Sequence, residues 1–192
     1  IFLASQCLSA LNFWLSILDP TLRAYGESGS FYILFIAALY PLKFMYAPFI
    51  THLQDCYGFI NSLYLFVTFQ VLLWIIMAIP LYPVQVLSTF LQMLTTTWLL
   101  SLLYATSMKL SHKDFGKIHG FGMLLSGSIS FLLQLIYTFL VYEVLNSNFS
   151  SFSVIMVVFT TLLYIVPQVL VSLAKKMNKD TEKRPLTNAQ VQ

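Results

Sequence analysis

Three amides and one amine stand where apolar side chains are the rule. Asn12, Gln92 and Gln134 each lie inside a long hydrophobic run, and Lys43 sits within "LYPLKFMYAPF". An amide left unpaired in hydrocarbon is costly, and an ionised lysine at the centre of a membrane helix costs about 2.5–3.5 kcal/mol on insertion scales. Such groups need a partner, water or a bound solute. The chemistry they offer is recognition: hydrogen bonds from the amides and, at Lys43, attraction for an anionic group. The bland alternative for Lys43 is that it snorkels or meets the hydroxyls of Tyr40 or Tyr46. Pro41 and Pro48 flank it and loosen the local helix ladder, as in broken transporter helices.

Nothing points to bond-making chemistry. The chain has no HExxH, no GxSxG, no phosphate loop and no His/Cys metal spacing. An enzyme is not expected, nor a cofactor, a metal or a nucleic-acid partner. His52, His112 and His119 fall near the ends of apolar runs and read as solvated, while Cys7 and Cys56 read as small buried hydrophobes.

Hydroxyls extend the amides into stripes. Ser5, Ser9, Asn12, Ser16 and Asp19 share one helix face, as do Gln85, Ser88, Gln92 and Thr96, and again Gly122, Ser126, Ser130, Gln134 and Thr138. Small residues every four positions let helices approach and hydrogen-bond across the contact. The same stripes can line a wetted path. On that second reading the pathway residues are Asn12, Ser16, Lys43, Gln92, Thr96, Ser126, Ser130 and Gln134. A fourth stripe, Thr160, Tyr164, Gln168 and Ser172, reads as packing.

The elements that must position these residues are long apolar helices. The chain is 58% hydrophobic and only 9% charged, far below the charge of a soluble domain. Runs at 1–18, 31–51, 59–80, 84–108, 118–142 and 152–174 each reach the roughly 20 residues that cross hydrocarbon. The expected fold is an all-α membrane protein with a six-helix transmembrane bundle over 1–174 and a disordered basic tail over 175–192. Asp19-Pro20 is expected to end the first helix. Ile1 opens inside an apolar run without an initiator Met, which reads as a fragment.

Charge sets the orientation. Lys109, Lys113, Lys117, Lys175, Lys176, Lys179, Lys183 and Arg184 fall on one side of the alternating spans, which the positive-inside rule makes cytoplasmic together with both chain ends. Asn148-Phe149-Ser150, a glycosylation sequon, falls on the opposite side.

Six such helices resemble half of a major facilitator transporter. "APFITHLQDCYG" (47–58) resembles a degenerate copy of that superfamily's cytoplasmic loop, with Asp55 and Gly58 at the acidic and glycine positions that cap neighbouring helices and without its usual basic residues. "IPLYPVQVLSTFLQ" and "LLYATSMKLSHKDFGKIHGFGMLLSGSISFLLQ" resemble the solute carrier family 43 transporters, which carry large neutral amino acids or nucleobases. The matching positions are His112, Asp114, Phe115, Gly116, Gly120, Ser126 and Gln134.

The resemblance implies a twelve-helix facilitative carrier of which this chain is the C-terminal half. Its partners would be the lipid bilayer, a small-molecule solute and an N-terminal six-helix half, with the plasma membrane as its place. The first, second, fourth and fifth helices would face the cavity, and the third and sixth would be peripheral. Asp55, Gly58, Asp114, Phe115, Gly116 and Gly120 would serve the cytoplasmic gating loops, with Asp114 capping the fifth helix and the two glycines permitting a tight turn. Lys43 departs from the family's neutral substrates. The alternative is a transport-dead six-helix remnant acting as a scaffold.

Overall fold

The structure, a computed structural model, describes residues 2–24, 34–35, 37–38, 40–110 and 113–182. Much of the expected second span (31–39), His112 and the tail beyond 182 therefore lie outside or largely outside the described residues. The architecture is all-helical: α1 (Phe2–Ala24), a 3-10 turn (Tyr40–Met45), α2 (Tyr46–Ala78), α3 (Tyr82–Leu110), α4 (Phe115–Phe139) running into a π-helical turn (Leu140–Val144), α5 (Phe149–Leu162) and α6 (Ile165–Glu182). No strand occurs among the described residues.

Among the described residues, three stretches are long and apolar enough to cross a membrane: Lys43–Ala78, Phe115–Val144 and Phe149–Leu173. The helices α1 and α3, of 23 and 29 residues, are of comparable length.

The first of the three stretches is not one rod. Gly58 has φ 75° and ψ 166°, a conformation that is almost glycine's alone. Thr97 donates to the Lys43 carbonyl at 3.2 Å, and its neighbour Trp98 donates to Ser62 Oγ at 2.9 Å. A continuous helix would separate residues 43 and 62 by roughly 28 Å, whereas links through two adjacent residues of α3 hold them within roughly 22 Å. The chain therefore turns back sharply at Gly58. The expected loop over 52–58 shrinks to this one residue, and His52 to Tyr57 are helical. The second arm, 59–78, keeps a length of about 30 Å.

Two apolar clusters hold the bundle. One gathers Phe13, Ile17, Trp74, Tyr137 and Phe152, and the other Ile50, Phe66, Val67, Trp98 and Leu102. Edge-on rings tie the first together, Phe13–Tyr137 at 5.6 Å and Trp74–Phe152 at 5.8 Å. α1 packs chiefly on α4, while α2 packs on α3 and α5.

Several boundaries differ from expectation, each for a local reason. Helix α1 continues through Pro20, because Thr21 and Leu22 are buried and Arg23 bridges back to Asp19 at 3.0 Å. The sixth span breaks at 163–164, where Leu163 and Tyr164 make 3-10-type bonds to Thr160 and Thr161. The tail expected to be disordered from 175 is helical to Glu182.

Candidate functional site

The polar stripe of α3 turns fully inward. Gln85, Ser88, Gln92, Thr95 and Thr96 are each 8% exposed or less. Most of their hydroxyls are satisfied within the helix: Ser88 donates to the Gln85 carbonyl at 2.7 Å, and Thr95 and Thr96 to that of Gln92 at 3.1 and 2.6 Å. Such back-bonding removes the cost of burying a hydroxyl without using a neighbouring helix. The amides behave differently. Gln85 Nε2 donates to the Ile79 carbonyl at 2.8 Å, fixing the head of α3 on the end of α2. The Oε1 atoms of Gln85 and Gln92 are buried without a partner.

In α4 the buried residues are Ser126, Ser130 and Tyr137. Ser126 Oγ has no partner, and Ser130 Oγ receives a long 3.5 Å bond from Gln134 Nε2. Gln134 is half-buried and meets its own helix. In α1, Asn12 and Ser16 are exposed, and Ser16 donates to the Phe13 carbonyl at 2.7 Å, while Ser9 is the buried member of that stripe. Of the predicted pathway residues, then, Gln92, Thr96, Ser126 and Ser130 lie inside the bundle, Gln134 lies at its edge, and Asn12 and Ser16 lie on its surface.

Lys43 falls in the 3-10 turn Tyr40–Met45. Pro41 lies in that turn and Pro48 in the first turn of α2, and the vacated ladder is met from α3 by Thr97 Oγ1 on the Lys43 carbonyl. The half-buried ammonium lies 5.5 Å from the Phe44 ring.

The gating positions form two different ends. Near Gly58, Asp55 is exposed within the helical first arm and makes no ion pair among the described residues. The turn is tied to α3 by Ser101 donating to Gln54 Oε1 at 3.1 Å and by Lys109 Nζ over the Phe59 ring at 4.6 Å. Cys56, expected buried, is exposed with its sulfur 3.5 Å from His52 Nε2, because the buried face of this arm is set by Ile50, six residues earlier and about 240° around the helix.

At the other turn, Asp114 precedes α4 but its carboxylate accepts no capping bond from the first turn; it lies 3.4 Å from Lys117 Nζ, and the Asp114 carbonyl accepts the Ile118 N–H. Phe115 stacks on His119 at 5.3 Å and meets Tyr104 edge-on at 4.9 Å, and Ser107 Oγ lies 3.1 Å from His119 Nδ1. His119 is thus half-buried in a packed aromatic corner, not solvated. Gly116 and Gly120 are both helical, and a Cβ on either would meet nothing within 4 Å. Neither provides the tight turn expected of it. Asn148 is exposed and caps α5, its Oδ1 accepting from the Ser151 N–H at 3.0 Å, while Ser150 Oγ donates to the Ala78 carbonyl at 2.6 Å.

Sequence reasoning missed Ser62, Gln70 and Trp74, which lie inside the second arm of α2. Gln70 Oε1 and Trp74 Nε1 are buried and unpartnered. The signal was present as a lone glutamine in an unbroken apolar run, where its cost demands an explanation.

Comparison with protein-family models, curated proteins and solved structures gives no match, so the likeness to the solute carriers stands only on the residues quoted for it.

Proposed function

We propose that the chain is the C-terminal six-helix half of a carrier of the major facilitator type, moving a small polar solute, a neutral amino acid or a nucleobase, by alternating access. In this reading it spans the plasma membrane, with its lysine-rich turn and both ends in the cytoplasm and a second six-helix half as its partner. The observation that supports it is the α3 stripe: amides and hydroxyls are packed inside an otherwise apolar bundle, and two amide oxygens are left without protein partners. Pure helix glue would pair those atoms across a contact. The broken backbone at Lys43, met from α3 by Thr97, adds a second irregular feature of the kind that lines transporter sites.

The test is uptake of labelled leucine, phenylalanine and adenine by cells carrying the full-length protein. Gln92→Leu is expected to lower uptake at least about tenfold with normal surface expression, the loss of one buried polar contact to the solute. Uptake that matches the unaltered protein removes Gln92 from the path.

A second reading, a six-helix scaffold without transport, is favoured by one observation. Asn12 in the α1 stripe is exposed, and the α3 hydroxyls of Thr95 and Thr96 bond their own backbone. On that reading no labelled solute moves, and Gln92→Leu changes stability alone.

A further inference from the structure

The apolar stretch Phe149–Leu173 ends inside α6, and the helix does not end with it. Lys175 and Lys176 follow at once, Lys179 stands a turn further on, and α6 continues to Glu182. Lys183 and Arg184 come next in the sequence. No acidic residue occurs between Glu143 and Asp180.

The helical repeat fixes where the first lysines stand. Ile165, Val169 and Leu173, spaced four apart, are 54%, 47% and 51% exposed. Pro167 is buried, and Val166 packs on the cluster around Trp98. One side of α6 is therefore held by the bundle, and the other presents an apolar line. Lys176, three residues past Leu173, continues that line, and Lys175 flanks it; both are exposed.

Their depth follows from the neighbouring arm. Ser150 Oγ donates to the Ala78 carbonyl at 2.6 Å, and Thr68 Oγ1 lies 2.7 Å from the Tyr164 hydroxyl, so α5 and α6 run antiparallel to the 59–78 arm. Lys175 lies about 16 Å beyond Tyr164, and Gly58 about 15 Å beyond Thr68 in the same direction. The lysines thus emerge at the level of the elbow, where Lys109 Nζ lies over the Phe59 ring. Phe149–Leu173, 25 residues long, measures about 37 Å at helical rise, against about 30 Å of hydrocarbon. In a bilayer its end reaches the headgroup layer.

A lysine at that depth lays its stem along acyl chains and holds its ammonium among the phosphates. The acids of α6 do not cancel it. Asp180 and Glu182 stand about 10 and 13 Å past Leu173, farther than the screening length of about 8 Å, whereas Lys175 and Lys176 stand within about 5 Å of it.

We propose that this end of α6 binds anionic phospholipids. The acyl chains lie along Ile165, Val169 and Leu173, and Lys176, with Lys175 beside it, takes the negative charge of the headgroup. A zwitterionic headgroup offsets its phosphate with its own amine, so a net-negative lipid is selected. The site rests on α6 crossing a bilayer and not on transport.

The experiment uses purified full-length protein in a neutral detergent, with native mass spectrometry reading the binding of short-chain phosphatidylserine against short-chain phosphatidylcholine. Phosphatidylserine is expected to bind about fivefold more tightly or better, the ratio that one lysine at a membrane surface supplies, and the preference is expected to fall as salt rises. Lys175→Gln combined with Lys176→Gln is expected to bring the two lipids within about twofold of each other, with an unchanged unfolding midpoint, because both side chains are exposed. Lys117→Gln, at a turn where the lysine already meets Asp114, is expected to keep the preference. Glycerophosphoserine, the headgroup without its chains, is expected not to compete. Equal binding of the two lipids by the unaltered protein overturns the proposal. So does an equal loss in Lys117→Gln, which makes the preference a property of the whole basic side, and so does full competition by glycerophosphoserine, which gives the lysines to a soluble anion. Solute uptake is read separately: loss of the lipid preference leaves the carrier reading standing, and absence of uptake leaves the lipid site standing.

Discussion

The second arm of α2 and the helix α4 are both long and apolar, yet they bury opposite kinds of side chain. Of the apolar stretch in Lys43–Ala78, 44% is buried, against 22% in Phe115–Val144. The α2 arm is wrapped by α3 and α5, and its core is made of Leu63, Phe66, Leu73, Trp74 and Met77. In α4 the inward residues are two serines and Tyr137, while Leu124, Phe131, Leu132 and Phe139 are each about three-fifths exposed or more. A helix that hides serines and shows phenylalanines is built for a medium in which apolar groups have no reason to hide. The difference teaches that protein surrounds the α2 arm on most sides, whereas α4 keeps a broad apolar face that the described residues do not cover.

That contrast can be broken by mutation, read as stability of the full-length protein in detergent. Trp98→Ala, which removes a fully buried indole and its bond to Ser62, is expected to cost about 3–5 kcal/mol. A cost below that of a surface substitution would refute the packing of α3 on α2. Gly58→Val forces a branched residue into φ 75°, with no steric contact to blame, and is expected to cost about 1–3 kcal/mol through backbone strain. Wild-type stability would mean that the reversal at that residue is not required.

Asn148→Ala is expected to cost about 1 kcal/mol by loss of the α5 cap, with Asn148→Asp retaining most of it. Equal losses in the two variants would reject the cap; a glycosidase-sensitive gel shift would show separately whether Asn148 carries a glycan. Smallest of all, Phe131→Ala on the outer face of α4 should change stability by less than about 0.5 kcal/mol. A loss matching Trp98→Ala would put that face inside a packed interface and erase the contrast.

Periodicity and composition made α3 and α4 readable, since apolar runs at 84–108 and 118–142 correspond to helices at Tyr82–Leu110 and Phe115–Phe139. The inward turn of Gln92, Thr96, Ser126 and Ser130 was readable from spacing for the same reason: a helix face repeats. What spacing does not carry is how a break is made. Asp19-Pro20 looks like a terminus, but burial of Leu22 carries the helix past it. "HLQDCYG" looks like a loop, but one glycine with a positive φ turns the chain and leaves its neighbours helical. Asn12 and Gln92 look equivalent in sequence, and only the packing of α1 on α4 leaves one outside and the other in. Gln70 escaped because it belongs to no stripe. His119 escaped because its partners, Tyr104 and Ser107, lie on the preceding helix.

The reversal at Gly58 carries a mechanical consequence. A long loop lets two rods spin independently, but a single-residue elbow gears them: rotation of the 46–57 arm must swing the 59–78 arm. Because Lys109 and Ser101 grip both sides of that elbow, torque applied at the Lys43 break travels to the ring of Phe59 and onward to α3, with little slack to absorb it.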